Sequence, residues 1–309
     1  MRSLLVLILV AVLVLPVCLT ASAQPTAQSG DPQANKALAW EMMDALYNNG
    51  NVIATVDLLA VDFVAHHPVM GELDALGYVG MVGALRAANP DLALAVLEML
   101  AQDDLVAVVY TFSGTFTENS TLLDLDATGR PWRLNGIALL RVVDGRIVEE
   151  WNVFDTLSMA QQWGMFPMEG ERPVPDAWEV TLGEGEIDPA WVDDLLAGVY
   201  NAMDPAAVGV YYSADIVLHH PFVGDLDFAG LEASVQMHVD NGESIVLADY
   251  LLVTEGDLAV MVDPAAQFGG FAPVDFEIPF ASLYRVADGQ VIEEWMTFDS
   301  LAFVTVGME

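Results

Sequence analysis

Cysteine is almost absent from this chain of 309 residues, whose single cysteine is Cys18. The body of the protein therefore has no disulfide, and its hydrophobic core must stabilise it alone. Basic residues are scarce as well, with 9 Lys and Arg against 45 Asp and Glu and a net charge of −36. Such a surface repels polyanions, so we expect neither nucleic acid nor an anionic membrane among the partners.

Long hydrophobic runs are limited to one, which extends from Leu4 to Val17. Met1 and Arg2 precede this run, and a tripeptide of small residues ending at Ala23 follows it, which is the pattern of a secretory signal peptide. We therefore predict that residues 1–23 are a signal peptide cleaved after Ala23. No membrane segment then remains, and the mature protein is expected to be secreted or periplasmic.

Two further expectations concern the N-terminal region. Lipid attachment at Cys18 is the weaker alternative to cleavage, because Pro and Val precede this cysteine where small residues are usual. Residues 24–34 are polar and contain Pro, Gly and Ser, which predicts a flexible tether. Because the hydrophobic content is 54%, we expect the rest of the chain to be folded despite its charge.

A tandem repeat organises the chain beyond the tether. Residues 141–157 return as residues 285–301 with ten of seventeen positions identical. In each copy an Asp-Gly pair separates two runs rich in Val and Ile, which predicts a β-hairpin with a two-residue turn. The predicted organisation is a first domain over residues 35–167, a linker over residues 168–187, and a shortened second domain over residues 188–309.

Helical periodicity comes first in each copy, and strand-like sequence follows it. In copy one we predict three helices between residues 34 and 88, then four strands between residues 92 and 154. This order predicts an α+β unit in which a curved antiparallel sheet wraps a helix. The copies are offset by 153 residues at paired histidines and by 144 at the hairpins, so copy two lacks nine residues, which we place near positions 119–130.

The paired histidines are His66-His67, before Pro68, and His219-His220, before Pro221. Neighbouring side chains on a strand point to opposite faces, so one histidine of each pair can face an interior cavity. The same geometry makes a metal site built from both histidines awkward, and we predict no metal. The alternative is a partly buried histidine that hydrogen-bonds a neighbouring backbone group.

The second hairpin strand of copy one alternates in a way that suggests chemistry. Regular alternation places Glu149, Trp151 and Asp155 on one face. A carboxylate beside a tryptophan on a concave face would be desolvated, and its raised pKa would suit proton transfer, so Asp155, Glu149 and His66 are the candidate catalytic residues. Asp155 has an equally good alternative as a helix N-cap. The second-copy equivalents are His219, Glu293, Trp295 and Asp299.

Other side chains have candidate roles beside this strand. Regular pairing would place Arg141 diagonally opposite Glu150, and Arg285 opposite Glu294, as cross-strand ion pairs. We favour this structural role over substrate binding. The candidate pocket residues of copy one are Trp151, Tyr110, Trp132 and His67. Aromatic residues at strand spacing are also typical of an ordinary core.

The motif set resembles the SnoaL-like polyketide cyclases and ester cyclases of the nuclear transport factor 2-like superfamily. The matching elements of copy one are Val64-Ala65-His66-His67-Pro68, Gly114-Thr115-Phe116, Thr128-Gly129-Arg130, Arg141 through Asp155, and Gln161-Gln162-Trp163-Gly164. The resemblance implies two cone-shaped domains, each of about three helices packed against a curved antiparallel sheet. It also implies an acid/base role for Asp155, with His66 lining an apolar cone.

Two functions remain open at the level of sequence. One is a secreted cyclase or isomerase that uses acid/base chemistry without a cofactor, because deprotonating a carbon beside a carbonyl needs only a placed base and a dry pocket. The other is a non-catalytic module that binds a small apolar molecule or a partner protein through the same cone. Because single-copy relatives commonly pair through the sheet, we expect the copies to pack as an intrachain pseudo-dimer.

Overall fold

The computed structural model describes residues 30–165, 174–271 and 274–306. The predicted signal peptide with Cys18, residues 24–29 of the predicted tether and part of the predicted linker lie outside these ranges. The described residues form two α+β halves that follow one another along the chain, each with its own sheet.

Copy one has the expected order of helices and strands. Its helices are α1 (Pro32–Met43, continued by a π-helical turn at Asp44–Asn48), α2 (Val52–Leu58), α3 (Ala75–Ala88) and α4 (Thr156–Trp163). Its strands are β1 (Leu59–His67), β2 (Gly71–Asp74), β3 (Ala93–Gln102), β4 (Leu105–Thr115), β5 (Pro131–Val143) and β6 (Arg146–Phe154). Asp31 and Asp74 accept hydrogen bonds from first-turn amides and so cap α1 and α3.

Copy two repeats this order with two differences in the sheet. Its helices are α5 (Pro189–Leu195, continued by a π-helical turn at Leu196–Asn201), α6 (Pro205–Tyr211), α7 (Phe228–Asn241) and α8 (Ser300–Val306). Its strands are β7 (Tyr212–His220), β8 (Gly224–Leu226), β9 (Ser244–Val246), β10 (Leu251–Glu255), β11 (Leu258–Gly269), β12 (Phe276–Ala287) and β13 (Gln290–Phe298). The first long meander strand is split into β9 and β10, and the connection before β12 is shorter.

No helix in the described ranges combines the length and apolar character that crossing a membrane requires.

The sheets confirm the predicted α+β class and add one parallel pairing to the antiparallel meander. The strand orders are β2-β1-β6-β5-β4-β3 and β10-β11-β12-β13-β7-β8, with β9 beside β11. Strand β1 runs parallel to β6, and β7 runs parallel to β13. At the hairpin tip of copy one, Asp144 and Gly145 have φ of 51° and 71°, as a type I′ turn requires.

Each sheet is buried on both faces. One face of the first sheet packs on α1 and α3 through a cluster that includes Met42, Tyr78 and Val108. The opposite face contributes to a separate cluster that contains residues of both sheets, namely Leu100, Ala107, Val109, Ile137, Leu139, Trp151 and Val153 with Val253, Leu258, Val260, Val262, Ala281, Leu283 and Trp295. This two-sided burial explains why β4 and β11 read as nearly continuous hydrophobic runs.

The described part of the predicted linker, residues 174–187, packs along the same cluster. Val180 is buried there, and Trp178 and Leu182 pack against it. The Leu182 amide donates to Glu98 at 2.8 Å in copy one, while Arg285 of copy two donates to the Thr181 carbonyl at 2.9 Å. This segment therefore contacts both halves along its length.

The nine missing residues of copy two fall between β11 and β12, where the sequence predicts the loss. Residues 116–130 connect β4 to β5 in copy one, whereas residues 270–275 connect β11 to β12 in copy two. Within the longer loop, Ser120 and Leu125 form an isolated bridge. The two copies consequently differ at one end of the sheet.

Candidate functional site

A β-bulge in β6 reverses the predicted inward and outward faces of the catalytic candidates. Arg141 pairs with Glu149 and Val142 pairs with Ile147, so Val148 is the extra residue. Ile147 therefore faces the helices, whereas Trp151 and Val153 face the second sheet. The prediction that Glu149 and Trp151 face the interior of the cone is wrong, because the bulge shifts the alternation of side chains by one residue.

The bulge also changes the partner of each arginine. Arg141 Nη1 donates to Glu149 Oε2 at 2.9 Å, so the predicted pair with Glu150 is wrong. In copy two, Arg285 binds Asp257 at 2.8 Å and lies 3.5 Å from Glu293, which corrects the predicted pair with Glu294. Both arginines thus lie on the face of their sheet opposite the helices, which is called the outer face below.

His66 and Trp151 lie on the same outer face and form a network with Arg141 and Glu149, the outer network. Neither residue lines the helix-side cavity of copy one, which lies between the helices and the sheet. His66 Nε2 lies 2.9 Å from Glu149 Oε1, and its ring stacks on Trp151 with centroids 5.5 Å apart. The Arg141 guanidinium lies 5.0 Å from the centre of the Trp151 ring. Copy two repeats the arrangement with His219, Glu293, Trp295 and Arg285. The repetition indicates a structural network beside the contact between the sheets.

Asp155 occupies the N-cap position of α4, which is the alternative that the sequence left open. Its Oδ1 accepts from the Ser158 amide at 2.8 Å and from the hydroxyl of Ser300 in copy two. Asp299 reciprocates by accepting from the Thr156 hydroxyl and from the Ala302 amide at 3.3 Å. Burial raises the pKa of Asp299, with a smaller rise from Asp155. The two aspartates therefore join α4 to α8.

The helix-side cavity of copy one is small, with a volume of about 60 Å³. Three of the four predicted pocket residues, Tyr110, Trp132 and His67, line it. Leu122 and Leu123 of the long loop line it too, and Phe116, Trp132 and Trp163 pack together at this end of the cone. Aromatic side chains and the loop therefore fill most of the first cone.

Glu150 is the buried acidic group of this cone, and the sequence analysis did not select it. It is fully buried, and among the described residues its Oε2 has no hydrogen-bond partner. Burial raises the pKa of Glu150 to about 7, while hydrogen bonding with Tyr78 and Asn152 offsets part of that rise. The repeated Glu-Glu-Trp contained the signal, but choosing the inward glutamate required knowledge of the bulge.

A chain of hydrogen bonds connects Glu150 to the cavity wall. Asn152 Nδ2 lies 3.4 Å from Glu150 Oε1, and the Tyr110 hydroxyl donates to Asn152 Oδ1 at 2.6 Å. Both Asn152 and Tyr110 line the cavity. This arrangement can relay a polar contact from the cavity to the buried carboxyl group.

His67, the second histidine of its pair, does face this cavity. Its Nδ1 accepts from the amides of Val69 and Met70, each at 3.2 Å. Burial lowers the pKa of His67 to about 4, so its imidazole is neutral near pH 7. Across the described ranges, no three His, Cys, Asp or Glu side chains cluster as a metal ion would require.

Copy two has a larger helix-side cavity, with a volume of about 370 Å³. Its wall is mainly apolar and includes six phenylalanines, namely Phe222, Phe268, Phe271, Phe280, Phe298 and Phe303. At the sequence positions that match Phe116 and Trp132, copy two has Gly269 and Phe276. The smaller side chains and the shorter connection between β11 and β12 account for the additional space.

The buried glutamate of copy two, Glu294, is fully hydrogen-bonded. Its two oxygens accept from Tyr200 at 2.7 Å, Tyr212 at 2.8 Å and Ser282 at 2.8 Å. Burial raises the pKa of Glu294, and the three hydroxyl groups counteract that rise. Copy one has Leu59 and Ala138 where copy two has Tyr212 and Ser282, so Glu150 lacks two of these donors.

The topology and the cavity together define the class of protein to which the first half belongs. A curved sheet wrapped around helices, with a cavity between them, is the cone of the nuclear transport factor 2-like fold. Residues 37–163 match the family model described as SnoaL-like polyketide cyclase. The first repeat is therefore a SnoaL-like domain, and the resemblance drawn from its motifs is confirmed.

Two similar solved structures each cover less than half of this chain. AclR of Streptomyces galilaeus, a proposed hydroxylase, is 26% identical with a TM-score of 0.40, and the match covers 44% of this chain and 100% of AclR. IdmH of Streptomyces antibioticus, a proposed polyketide cyclase, is 29% identical with a TM-score of 0.37, and the match covers 42% of this chain and 98% of IdmH. With such TM-scores, the fold assignment rests on topology and on the family match. No curated protein matches the chain.

Proposed function

We propose that this protein binds a small apolar molecule and that the cavity of its second repeat is the binding compartment. The observation that carries the proposal is the volume of that cavity, about 370 Å³. Ligand sites commonly have roughly 300–1,000 Å³ and mostly apolar walls with a few polar groups. The cavity of copy one, at about 60 Å³, holds little more than a few water molecules.

A fluorescent apolar ligand tests this proposal. N-phenyl-1-naphthylamine should bind the full chain with one equivalent per molecule, because of the two helix-side cavities only that of copy two has room for its rings. Ser234 of α7 lines that cavity, so Ser234→Trp should weaken binding at least about tenfold by filling it. Glu232→Trp is the matched control, because Glu232 lies on the same helix and is exposed to solvent. Two equivalents, or unchanged binding by Ser234→Trp, would contradict the proposal.

A second candidate function is acid/base chemistry without a cofactor in copy one. The buried carboxyl group of Glu150 favours it, because its pKa of about 7 suits proton exchange near neutral pH. A substrate could enter this cone only if the loop at residues 116–130 opened. Binding in copy two is therefore the primary proposal. Deuterium exchange beside the carbonyl of 2-tetralone provides the assay. Glu150→Gln should abolish exchange while Asp155→Asn retains it, and the reverse result would restore Asp155 as the base.

We also propose that the two copies form an intrachain pseudo-dimer through their sheets. The hydrophobic cluster that contains residues of both sheets supports this, as does an ion pair of 2.7 Å between Lys36 and Glu255. A fragment of residues 24–170 would expose its half of the cluster, so it should dimerise or aggregate. A monomeric fragment in sedimentation equilibrium would contradict this arrangement.

Export remains part of the proposed function and rests on the N-terminal sequence pattern. We expect the mature protein to begin at Gln24, because the small residues that end at Ala23 fit a signal peptidase site. Mass spectrometry of the protein recovered from the culture medium or the periplasm checks this. A lipid-modified Cys18 at the N-terminus would contradict cleavage after Ala23.

A further inference from the structure

A histidine–carboxylate pair lies in the wall of the second cavity. His238 belongs to α7, and Glu243 lies in the turn that follows this helix. His238 Nδ1 and Glu243 Oε2 are 2.5 Å apart, and the two side chains are 22% and 15% exposed. Both line the same cavity as the six phenylalanines. A polar pair is therefore built into an apolar compartment.

The pair is specific to copy two and is not needed by the shared fold. At the matching sequence positions copy one has Leu85 and Pro90, which cannot form such a pair. Leu85 also lines its own cavity, so the cavity wall itself has changed from apolar to polar between the repeats. A structural requirement common to both cones does not explain this change.

The carboxylate determines which nitrogen of His238 is available to a ligand. An ionised carboxylate only accepts hydrogen bonds, so the Nδ1 that faces Glu243 carries the proton. In the neutral imidazole, Nε2 is then an acceptor, and it has no hydrogen-bond partner among the described residues. The ring packs beside Phe271 with centroids 5.0 Å apart, which fixes it against the apolar wall.

His220 adds a donor to the same cavity. Its Nδ1 accepts from the Phe222 amide at 3.1 Å, so in the neutral ring the proton lies on Nε2. Burial lowers the pKa of His220 to about 4, with a further contribution from His238, so this ring is neutral near pH 7. The cavity therefore contains an imidazole acceptor and an imidazole N–H donor within an aromatic wall.

We propose that His238 recognises the hydroxyl group of an aromatic ligand, such as a phenol or an enol, through Nε2. A hydroxyl group can donate to an acceptor such as His238 Nε2 or accept from a donor such as the His220 N–H, and both rings line this cavity. A neutral ligand is favoured over an anion because Glu243 is adjacent and the chain has a net charge of −36. This inference rests on the proposed function, since it specifies what the second cavity binds.

Calorimetric titration of the full chain with 2-naphthol and 2-methoxynaphthalene tests the inference, because the two ligands share a ring system and only the first has an O–H group. The wild type should bind 2-naphthol about tenfold more tightly, the usual magnitude for one buried hydrogen bond. His238→Leu, which introduces the residue of copy one, should bind both ligands equally. His238→Gln should keep part of the preference, because its amide carbonyl can accept a hydrogen bond.

The outcomes separate this inference from the proposed function. Equal binding of both ligands by the wild type, or a preference that survives in His238→Leu, would overturn the role of His238 and leave apolar binding intact. Tighter binding of 2-naphthoate than of 2-naphthol would overturn the choice of a neutral hydroxyl ligand. Failure to bind any of the three would overturn the proposed function as well. His219→Leu is the control, because His219 lies in the outer network and should leave the preference unchanged.

Discussion

The two repeats share one topology and differ in what occupies the space between helices and sheet. In copy one, the loop of residues 116–130 and three large aromatic side chains leave a cavity of about 60 Å³. In copy two, a connection nine residues shorter and a glycine at position 269 leave about 370 Å³. The sheet and its outer face are maintained in both halves, so changes at one end of the cone determine the volume of the cavity.

The buried glutamates show a second difference of the same kind. Glu294 accepts three hydroxyl donors and is held as a structural group, whereas Glu150 has one oxygen without a described partner. The repeat with the larger cavity therefore has the better satisfied carboxylate. After a duplication, the space for a ligand and a poised acidic group need not remain in the same copy.

The largest expected effect concerns the side chain that closes the first cone. Trp132 is 2% exposed and donates through Nε1 to Asn89 at 2.8 Å, so Trp132→Ala should lower the free energy of unfolding by about 4 kcal/mol. Phe276 at the matching position is only partly buried, and Phe276→Ala should cost about 2 kcal/mol. Urea denaturation followed by tryptophan fluorescence and circular dichroism measures both. Equal losses would show that the two cones are closed to the same extent.

The next largest effect is a pH dependence of the free energy of unfolding, which distinguishes Glu150 from Glu294. The Glu150 carboxyl group has a pKa of about 7 in the folded state against the ordinary glutamate value of 4.5, so the folded state retains a proton that the unfolded chain releases between these values. Stability contributed by this group is therefore lost as pH rises from about 4.5 to 7, by up to about 3 kcal/mol. Glu150→Gln should remove this loss, so the variant gains stability at pH 8 but not at pH 4.5.

Urea denaturation at pH 8 and pH 4.5 measures the difference in unfolding free energy between Glu150→Gln and the wild type. Glu41→Gln, at an exposed position of α1, is the control for removal of one negative charge from an acidic protein. Glu294→Gln should show no comparable gain, because an amide leaves one of the three hydroxyl donors without its acceptor. A pH-independent effect of Glu150→Gln would mean that this carboxyl group titrates normally.

The sequence predicted the fold better than it predicted the site, and the reason is local. The repeat, the Asp-Gly turns and the helix-to-strand order were sufficient for the α+β cone and for the position of the lost loop. The face of each side chain on β6 depended on the extra residue at Val148, which changes alternation by one position. Nothing in the Val- and Ile-rich run marks that bulge, so Glu149 was selected where Glu150 faces the interior.

The relative size of the two cavities was also beyond the sequence. A lost loop can equally collapse a cone or open it, and the outcome depends on how the neighbouring side chains repack. His238 and Glu243 are five positions apart with no catalytic motif around them, and only the turn after α7 brings them to one wall. The sequence indicates this pair only through the alignment of the copies, in which His238 and Glu243 replace Leu85 and Pro90.

The smallest expected effect tests a feature that the repeats share, the reciprocal contact between α4 and α8. Asp155→Ala and Asp299→Ala should each lower the free energy of unfolding by about 1–2 kcal/mol, because each removes an N-cap and a contact with the other helix. Combining Asp155→Ala with Ser300→Ala should reveal a coupling energy of about 1 kcal/mol in a double-mutant cycle, since the two side chains share a hydrogen bond. Asp155→Asn keeps a cap and should leave naphthylamine binding unchanged. A large loss of ligand affinity in that variant would show that Asp155 belongs to the ligand-binding site and not only to the contact between the two helices.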